Sequence, residues 1–472
     1  MKFHSIGFKN IFLLLFVSFF IINCDKDSDD STDITTNKIT LFRLEDLPEI
    51  KLTVPLKDWN TLLTNYDLNS QNDKKVVSSF LFELNGQKVK LDSIGIRLRG
   101  NTSRRRPEGN FGEPHNALAP DWHHCHFGLD FAKYREKQRF SDLEKLNLKW
   151  FKDDSNYVRE IYSYDLFKRY GIWTAPKASY CKLTITVEGD SKPAYYGVYA
   201  MIESIDEDYI ASRNANWSST IGFLWKAGWS GSFNADFVQT SSMGVEDVKL
   251  DPSKSKYYAY DLKTRDTELA SAKAELTQFI YDLNTRTGDN FKLWIATKMD
   301  VPLFLKTYAV NVMVGMWDDY WVNGNNFYFY FAGNGKAYFI PYDYDNTLGT
   351  SAIVANSGTQ DPLKWGKMNT RPLITKILEI PEYQLQYKAY LKELINPNSD
   401  LFDATKSMQR ISIWKGLIQS HISNDTGEDM VIEDKPASWG NAPFYRLQSG
   451  NNEGGTNGNA NYFSTKAKTI IW

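Results

Sequence analysis

The chain has few cysteines and no excess of charge of either sign. Only three cysteines occur among its 472 residues, Cys24, Cys125 and Cys181, which excludes a fold held by a disulfide framework. The 55 basic and 57 acidic residues nearly cancel, so no overall field favours nucleic acid as a partner. No internal repeat is visible, and the chain therefore does not read as a repeat architecture.

Several short enzyme motifs are also missing. The sequence contains no G-x-G-x-x-G, no Walker motif, no G-x-S-x-G nucleophile elbow and no H-E-x-x-H metal motif. Apolar residues, by contrast, make up 42% of the chain and aromatic residues 15%, which is ample for a sizeable core. A chain of 472 residues with this composition predicts one large two-lobed unit or two domains.

The N-terminus predicts export and a lipid anchor. Residues 11–22 form a run of 12 residues, apolar apart from Ser18, which has the length of a signal-peptide core. Cys24 follows closely, and the pattern resembles a bacterial lipobox, which predicts a signal peptide over residues 1–23 and lipidation of Cys24. Asn23 departs from the small residue usual before that cysteine, so a plain secretory signal remains the alternative.

The polar stretch that follows predicts a flexible tether. Residues 24–38 begin with Cys24 and are otherwise acidic and polar, a composition typical of unstructured segments. An acidic tract directly after a lipidated cysteine resembles the surface-export signal of Bacteroidetes lipoproteins. We therefore expect a lipoprotein of the cell envelope, held in the outer membrane through its N-terminal lipid only and exposed at the surface.

The order of predicted elements favours an α+β fold. Strand patterns dominate the first half, with a hairpin signal at Asn85-Gly86 and one prominent helix over residues 157–170. Helical patterns dominate the second half. Strands followed by helices predict an α+β fold, with a β-rich lobe over residues 39–205 and a mainly helical lobe over residues 206–472.

The stretch from Trp317 to Gly349 carries the main chemical signal. Two aromatic strands around a Gly-Asn-Gly turn predict a hairpin, which brings the residues before its first strand beside those after its second. Acidic and amide residues stand on both sides of this hairpin: Asp318, Asp319, Asn325, Asn326, Asp343 and Asp345. Such oxygens suit Mg²⁺ and leave positions for phosphate oxygens. The alternative is a solvated turn with ordinary capping residues.

An arginine-rich run, Arg97 to Arg106, contains the sequence Arg99-Gly100-Asn101-Thr102-Ser103. Glycine lets the backbone turn tightly, successive amides and hydroxyls can wrap an oxyanion, and arginines match phosphate geometry. The alternative is a surface loop with solvated arginines.

A histidine cluster also needs an interpretation. Four of the six histidines fall within twelve residues: His115, His123, His124 and His126. A metal site is one interpretation. Adjacent strand residues alternate faces, however, and no second ligand pair completes the set, so a partly exposed polar loop is the simpler prediction.

Five ordered blocks resemble the CotH kinase family, a group of atypical, secretory-type protein kinases. The blocks are Ile96–Ser103; Leu146–Lys149 with Asp153–Ser155 and Val158–Glu160; Tyr170–Ile172 with Ala175-Pro176; Tyr196–Tyr199 with Glu203–Asp206; and Trp317-Asp318 with Asn326–Tyr328, Ile340–Asp345 and Gly349. Any one block is weak, but five in this order are specific. Together they cover the chain from about residue 40 to about residue 395.

The resemblance implies a divergent protein-kinase-like, two-lobed fold that binds ATP and Mg²⁺ between its lobes. It implies transfer of the ATP γ-phosphate to a Ser/Thr hydroxyl of a secreted or surface protein. In this family's pattern Asp318, with Asp319 as the neighbouring candidate, accepts the hydroxyl proton. The same pattern implies that Asn326, Asp343 and Asp345 bind the metal.

The resemblance also implies a nucleotide-binding set. The turn of Arg99, Gly100, Asn101, Thr102 and Ser103 would cover phosphates, Glu160 would hold the nucleotide-binding lysine, and Glu203 would lie near the hinge. The family commonly has lysines in the strand after this turn, but residues 126–131 contain none. Lys149 or an arginine of the loop is the expected replacement.

The missing strand lysine leaves an alternative function open. A catalytically inactive kinase-like surface lipoprotein would bind a glycan or a partner protein instead of transferring phosphate. Trp217, Trp225 and Trp229 could stack on sugars, or they could belong to the core.

Overall fold

The computed structural model describes residues 39–152, 154–228, 230, 232–246, 258–350, 357–366, 371–429 and 462–472. The predicted signal peptide, the tether and Cys24 lie outside these residues, as do Asp153 and Trp229. Residues 39–472 form one compact unit. Among the described helices, none is both long enough and apolar enough to cross a membrane.

The first half of the chain folds into a closed barrel of seven strands. They are β1 (Glu49–Val54), β2 (Val76–Leu84), β3 (Gln87–Arg99), β4 (His126–Asp130), β5 (Lys145–Lys149), β6 (Ala178–Val187) and β7 (Ala194–Glu203). Their order is β1-β2-β3-β4-β5-β7-β6, and parallel pairing of β1 with β6 closes the barrel. Alternate residues of β1 are buried, as expected for a strand with one face on the core.

Two helices interrupt the barrel strands. α1 (Leu56–Leu68) joins β1 to β2, and α2 (Arg159–Arg169) joins β5 to β6. The Asp154 carboxylate accepts hydrogen bonds from the amides of Val158 and Arg159 at 2.8 and 2.7 Å, which satisfies donors at the start of α2. Gly171 follows the helix with φ of +72°, a left-handed conformation that glycine commonly adopts after a helix end.

A second sheet holds the aromatic hairpin. Its strands are β8 (Gly222–Ala227), β9 (Met243–Gly244), β10 (Tyr260–Leu262), β11 (Phe327–Ala332) and β12 (Ala337–Pro341), in the order β12-β11-β8-β10-β9. Phe327 pairs with Pro341 and Phe331 with Ala337, so the predicted hairpin is confirmed. Its two ends lie together, as the hairpin argument requires.

Helices make up most of the remaining chain. They are α3 (Glu207–Ser212), α4 (Asn214–Trp217), α5 (Leu269–Thr285), α6 (Gly288–Lys298), α7 (Val301–Val314), α8 (Pro372–Leu378), α9 (Pro381–Leu394), α10 (Ala404–Ile418) and α11 (Tyr462–Ala467). Almost every residue of α7 is buried, so this helix forms the centre of the helical part. The predicted α+β architecture, with a β-rich first half and helices later, is confirmed.

Candidate active site

Lys149, the last residue of β5, lies in the middle of three carboxylates. Its Nζ is 2.7 Å from Glu160 Oε2 and 3.3 Å from Asp345 Oδ2, and it also contacts Asp343 Oδ1. The side chains of Lys149 and Glu160 are only 6% and 4% exposed. Burial alone would lower the pKa of Lys149, but Asp343, Asp345 and Glu160 raise it well above its ordinary value. The ammonium group therefore stays charged.

Helix α2 ties this lysine to the segment after the hairpin. Glu160 stands in the first turn of α2. Arg159, beside it, binds Asp154 at 2.6 Å and donates through Nε to the Thr347 carbonyl at 3.1 Å. One turn further along, the Tyr164 hydroxyl accepts a hydrogen bond from the Asp343 amide at 3.0 Å. The same helix thus holds Glu160 and the backbone of the acidic segment.

Asp343 is the second residue after β12 and has φ of +65°. Aspartate tolerates this left-handed conformation better than most residues. Burial would raise its pKa, but the ammonium of Lys149 and then Arg99 hold it down at about 2. The Asp343 and Asp345 side chains remain 31% and 38% exposed, so a ligand can reach them.

The three carboxylates are arranged as a cation site would require. One ligand atom from each of Glu160, Asp343 and Asp345 lies within 4.8 Å of the other two. The second oxygen of Glu160, Oε1, is buried and has no hydrogen-bond partner among the described residues. Hard carboxylate oxygens of this kind are the ligands Mg²⁺ prefers, so the residues present fit this ion.

Asp318 faces the same site from the other end of the hairpin. Its carboxylate accepts hydrogen bonds from Asn323 Nδ2 at 2.7 Å and from Asn326 Nδ2 at 3.0 Å. Burial raises its pKa, the charge of Asp343 adds to this, and the amide donors offset a part. Asn326, the predicted metal ligand, therefore directs its amide nitrogen at Asp318.

Asp319 turns into the protein interior instead. It is 2% exposed, and its oxygens accept hydrogen bonds from Asn311 Nδ2 at 2.6 Å and from the Val322 amide at 2.9 Å. Burial, partly offset by these donors, raises its pKa to about 7. Of the two predicted base candidates, Asp318 is the one whose pKa the charge of Asp343 raises.

The arginine-rich run reaches the site through Arg99. Arg99 ends β3 and donates to the Tyr342 hydroxyl. Burial would lower its pKa, but Tyr342, Asp343 and Glu160 raise it. Gly100 has φ of +105°, and a Cβ there would lie 2.6 Å from Ser103 Oγ, so this turn needs glycine. Asn101 and Thr102 are exposed.

The other arginines of the run have acidic partners of their own. Four of them pair with carboxylates: Arg97 and Arg104 with Asp73, Arg105 with Glu428, and Arg106 with Asp67. The side chains of Arg97 and Arg105 remain 25% and 39% exposed, so the alternative of solvated arginines is wrong only for Arg104 and Arg106, which are 5% and 7% exposed.

The four clustered histidines have different partners. The His115 ring bridges Glu108 and Asp190 at 2.8 and 2.7 Å, and His123 contacts the Arg106 carbonyl. His124 contacts Glu428 and the Tyr196 carbonyl, and His126 accepts from the Trp150 amide. Within the part of the chain that the structure describes, they do not form one cluster of possible metal ligands. The prediction of a partly exposed polar loop holds for His123, whose side chain is 18% exposed, but is wrong for the other three, because their rings are enclosed by the protein.

Glu203 lies at the end of β7 in a buried ion pair. It is 2% exposed and pairs with Arg213 at 2.6 Å. In the β5–β7 register Glu203 stands opposite Leu146, whereas Ala200 stands opposite Lys149, so Glu203 is three residues along the strand from the lysine's neighbour.

Trp217 and Trp225 are fully buried, as the core interpretation predicts.

A helix glutamate and two aspartates after a hairpin hold one lysine on an α+β scaffold. This arrangement defines a candidate site for a cation or a phosphorylated ligand. A family model described as CotH kinase protein matches residues 96–453, and the chain belongs to this family. The family predicted from the five sequence blocks is thereby confirmed. The chain is also 24% identical over 263 residues to the Inner spore coat protein H of Bacillus subtilis (strain 168). That match covers 56% of this chain and only 65% of the relative's length.

Proposed function

We propose that this protein is a phosphotransferase that moves the γ-phosphate of ATP to a Ser or Thr hydroxyl of a secreted or surface protein. The observation that carries the proposal is the Lys149–Glu160 pair in contact with Asp343. Enzymes of phosphoryl transfer act mainly by positioning phosphates and by neutralising their charge. A charged lysine that a helix glutamate holds in place can do both: it can position the phosphates and, beside carboxylates suited to a metal ion, neutralise their charge.

In this proposal the lysine and the arginine hold the nucleotide. Lys149 contacts ATP phosphates while Glu160 keeps its ammonium in place, and Arg99 adds a second cation from the end of β3. With phosphates as the partners of Lys149, the side chains of Asp343, Asp345 and Asn326 would hold Mg²⁺, and the ion would neutralise charge at the phosphates.

Asp318 acts as the proton acceptor for the substrate hydroxyl. Asn323 and Asn326 fix its carboxylate, and its raised pKa suits a base better than that of a freely solvated aspartate. The hydroxyl oxygen attacks the γ-phosphorus, its proton passes to Asp318, and ADP leaves. Asp319 supports the turn through Asn311 and Val322.

The proposal includes a kinase-like arrangement and a place of action. The barrel with α2 would form one lobe and the helical part with the hairpin the other, since Lys149 and Glu160 come from the first and Asp318 and Asp343 from the second. Lipidation of Cys24 would hold the enzyme at the outer membrane, where its protein substrates are secreted or surface proteins.

The direct test is phosphate transfer by the purified protein. ATP labelled in its γ-phosphate is incubated with the protein, Mg²⁺ and a Ser/Thr-containing protein mixture, alongside Asp343→Ala, Lys149→Met and the exposed control Asp289→Ala. Label should appear on Ser or Thr with the unchanged protein and with the control, and should be lost in the other two. Absent labelling, or labelling unchanged in Asp343→Ala, would refute the kinase function and favour an inactive binding protein.

A further inference from the structure

His126 is a buried histidine next to the proposed phosphate site. It is the first residue of β4 and stands opposite Arg99 in the β3–β4 pairing. Its side chain is almost completely enclosed, with 2% of the residue exposed. Neither the metal set nor the proton acceptor uses it. A buried polar ring at this position needs a chemical reason.

One hydrogen bond fixes the protonation of the His126 ring. The Trp150 amide donates to Nδ1 at 2.9 Å. A ring nitrogen that accepts a hydrogen bond carries no proton, so the proton of the neutral imidazole is on Nε2. Burial and the neighbouring charges of Lys149 and Arg99 lower the pKa of His126 well below its ordinary value. The ring is therefore a fixed, neutral donor.

The donor edge of the ring faces the turn after β3. Cδ2, the carbon bonded to Nε2, is 3.3 Å from the place where a Cβ on Gly100 would be. The opposite edge faces the Trp150 amide, one residue after Lys149. The ring thus lies between the turn that begins at Gly100 and the strand end that carries Lys149, and Arg99 stands beside it.

We propose that Nε2–H of His126 donates a hydrogen bond to a phosphate oxygen of the bound nucleotide, between Arg99 and Lys149. This inference rests on the proposed function and assigns a binding residue to it. A neutral donor adds a hydrogen bond to the polyphosphate. A protonated histidine would place a third positive charge beside Arg99 and Lys149, and these like charges would repel one another. His126 also occupies the strand in which the sequence contains no lysine.

Two substitutions separate the proposed role of Nε2 as a phosphate donor from the role of Nδ1 as acceptor of the Trp150 amide. His126→Asn retains an acceptor near the Nδ1 position for the Trp150 amide but has no group at the Nε2 position. His126→Gln extends an amide nitrogen to about the Nε2 position. His123→Asn is the matched control, because His123 belongs to the same cluster but contacts the Arg106 carbonyl and Asp121.

The measurement is calorimetric affinity of the purified full chain for ATP and for tripolyphosphate, with the melting temperature of each variant. Since a hydrogen bond to a charged acceptor is lost, His126→Asn should raise both dissociation constants about tenfold. His126→Gln should stay within about threefold of the unchanged protein, and His123→Asn should match it. Adenosine, which lacks phosphates, should bind equally to all four.

Nitrogen-15 spectra of the unchanged protein provide a second measurement that needs no variant. Tripolyphosphate should move the Nε2 resonance of His126 and leave Nδ1 nearly unchanged. Equal affinities of His126→Asn and the unchanged protein, or an unmoved Nε2 resonance with ligand bound, would overturn the role of His126 and leave the kinase proposal standing. If the unchanged protein binds neither ATP nor tripolyphosphate, both proposals fail.

Discussion

The hydroxyl oxygen of Tyr164 lies 3.0 Å from the backbone nitrogen of Asp343 and accepts its hydrogen bond. Tyr164 is on α2, four residues after Glu160, so both side chains leave the same face of the helix. Asp343 has a left-handed backbone conformation that only a few residue types tolerate. The tyrosine therefore connects the position of α2 to the backbone of the acidic segment.

Removing that acceptor should weaken the fold measurably. Tyr164→Phe keeps the ring in the core but leaves the Asp343 amide without its partner, which we expect to cost about 1–3 kcal/mol of unfolding free energy. Urea unfolding gives this value. Tyr281→Phe is the control, because Tyr281 is 61% exposed and should change little. Equal stability of Tyr164→Phe and the unchanged protein would contradict the role assigned to this hydroxyl.

Removing the central ammonium should destabilise the protein and make it respond more strongly to divalent cations. Lys149→Met leaves the buried Glu160 without its partner, a change that typically costs about 3–5 kcal/mol. Mg²⁺ should then raise the melting temperature of the variant more than that of the unchanged protein, because the ion replaces the lost positive charge.

The double variant Lys149→Met with Glu160→Gln provides the control for this prediction. Neutralising the carboxylate removes the buried charge that the single variant leaves unpaired, so part of the stability should return. A double variant as unstable as Lys149→Met, together with no response to Mg²⁺, would show that the loss comes from packing rather than from charge.

Stability should depend on pH through Asp343. Its folded pKa, about 2, lies below the value of about 3.9 for an unfolded aspartate, so the folded state favours the ionised form. The stabilisation is therefore complete above about pH 5 and is lost as the pH falls towards 2. The difference in unfolding free energy between the unchanged protein and Asp343→Asn should shrink over that window, and a constant difference from pH 6 to pH 2 would contradict it.

The turn after β3 should not accept a side chain at Gly100. Gly100→Ala meets both an unfavourable φ of +105° and a Cβ contact 2.6 Å from Ser103 Oγ, so we expect a loss of about 1–3 kcal/mol and weaker ATP binding. Gly112→Ala is a matched control: its φ is +80°, and nothing lies within 4 Å of the added carbon. Equal losses in both variants would mean that the contact with Ser103 is unimportant.

Local patterns predicted many elements because their signals are local. The Asn85-Gly86 signal falls at the turn between β2 and β3, and the helix predicted over residues 157–170 is α2. Helix α6 was not predicted: only Phe291, Trp294 and Ile295 of its residues are buried, which gives too weak a periodic pattern. The parallel pairing of β1 with β6 was also missed, because no local pattern records contact between distant strands.

The residues of the site divide in the same way: those in sequence motifs could be predicted, and contacts between distant positions could not. The motif residues on both sides of the hairpin and on α2 were predicted, and the structure brings Lys149, Glu160, Asp343 and Asp345 together. Tyr164 and Tyr342 were missed as partners of Asp343 and Arg99. Tyr164 could have been found from its spacing of four residues from Glu160, whereas the contact of Tyr342 with Arg99 spans 243 positions and leaves no sequence pattern.

The closed barrel also limits how another protein can approach. Each of its strands already has two hydrogen-bonded neighbours, so within this sheet no backbone edge is left for a peptide to extend. In the described ranges, the outer strands of the second sheet, β9 and β12, each pair with one other strand, and Ala337 of β12 also forms a bridge to Met299. Among the described residues, the barrel wall therefore offers no backbone edge to which an extended segment of a partner protein could add as a strand.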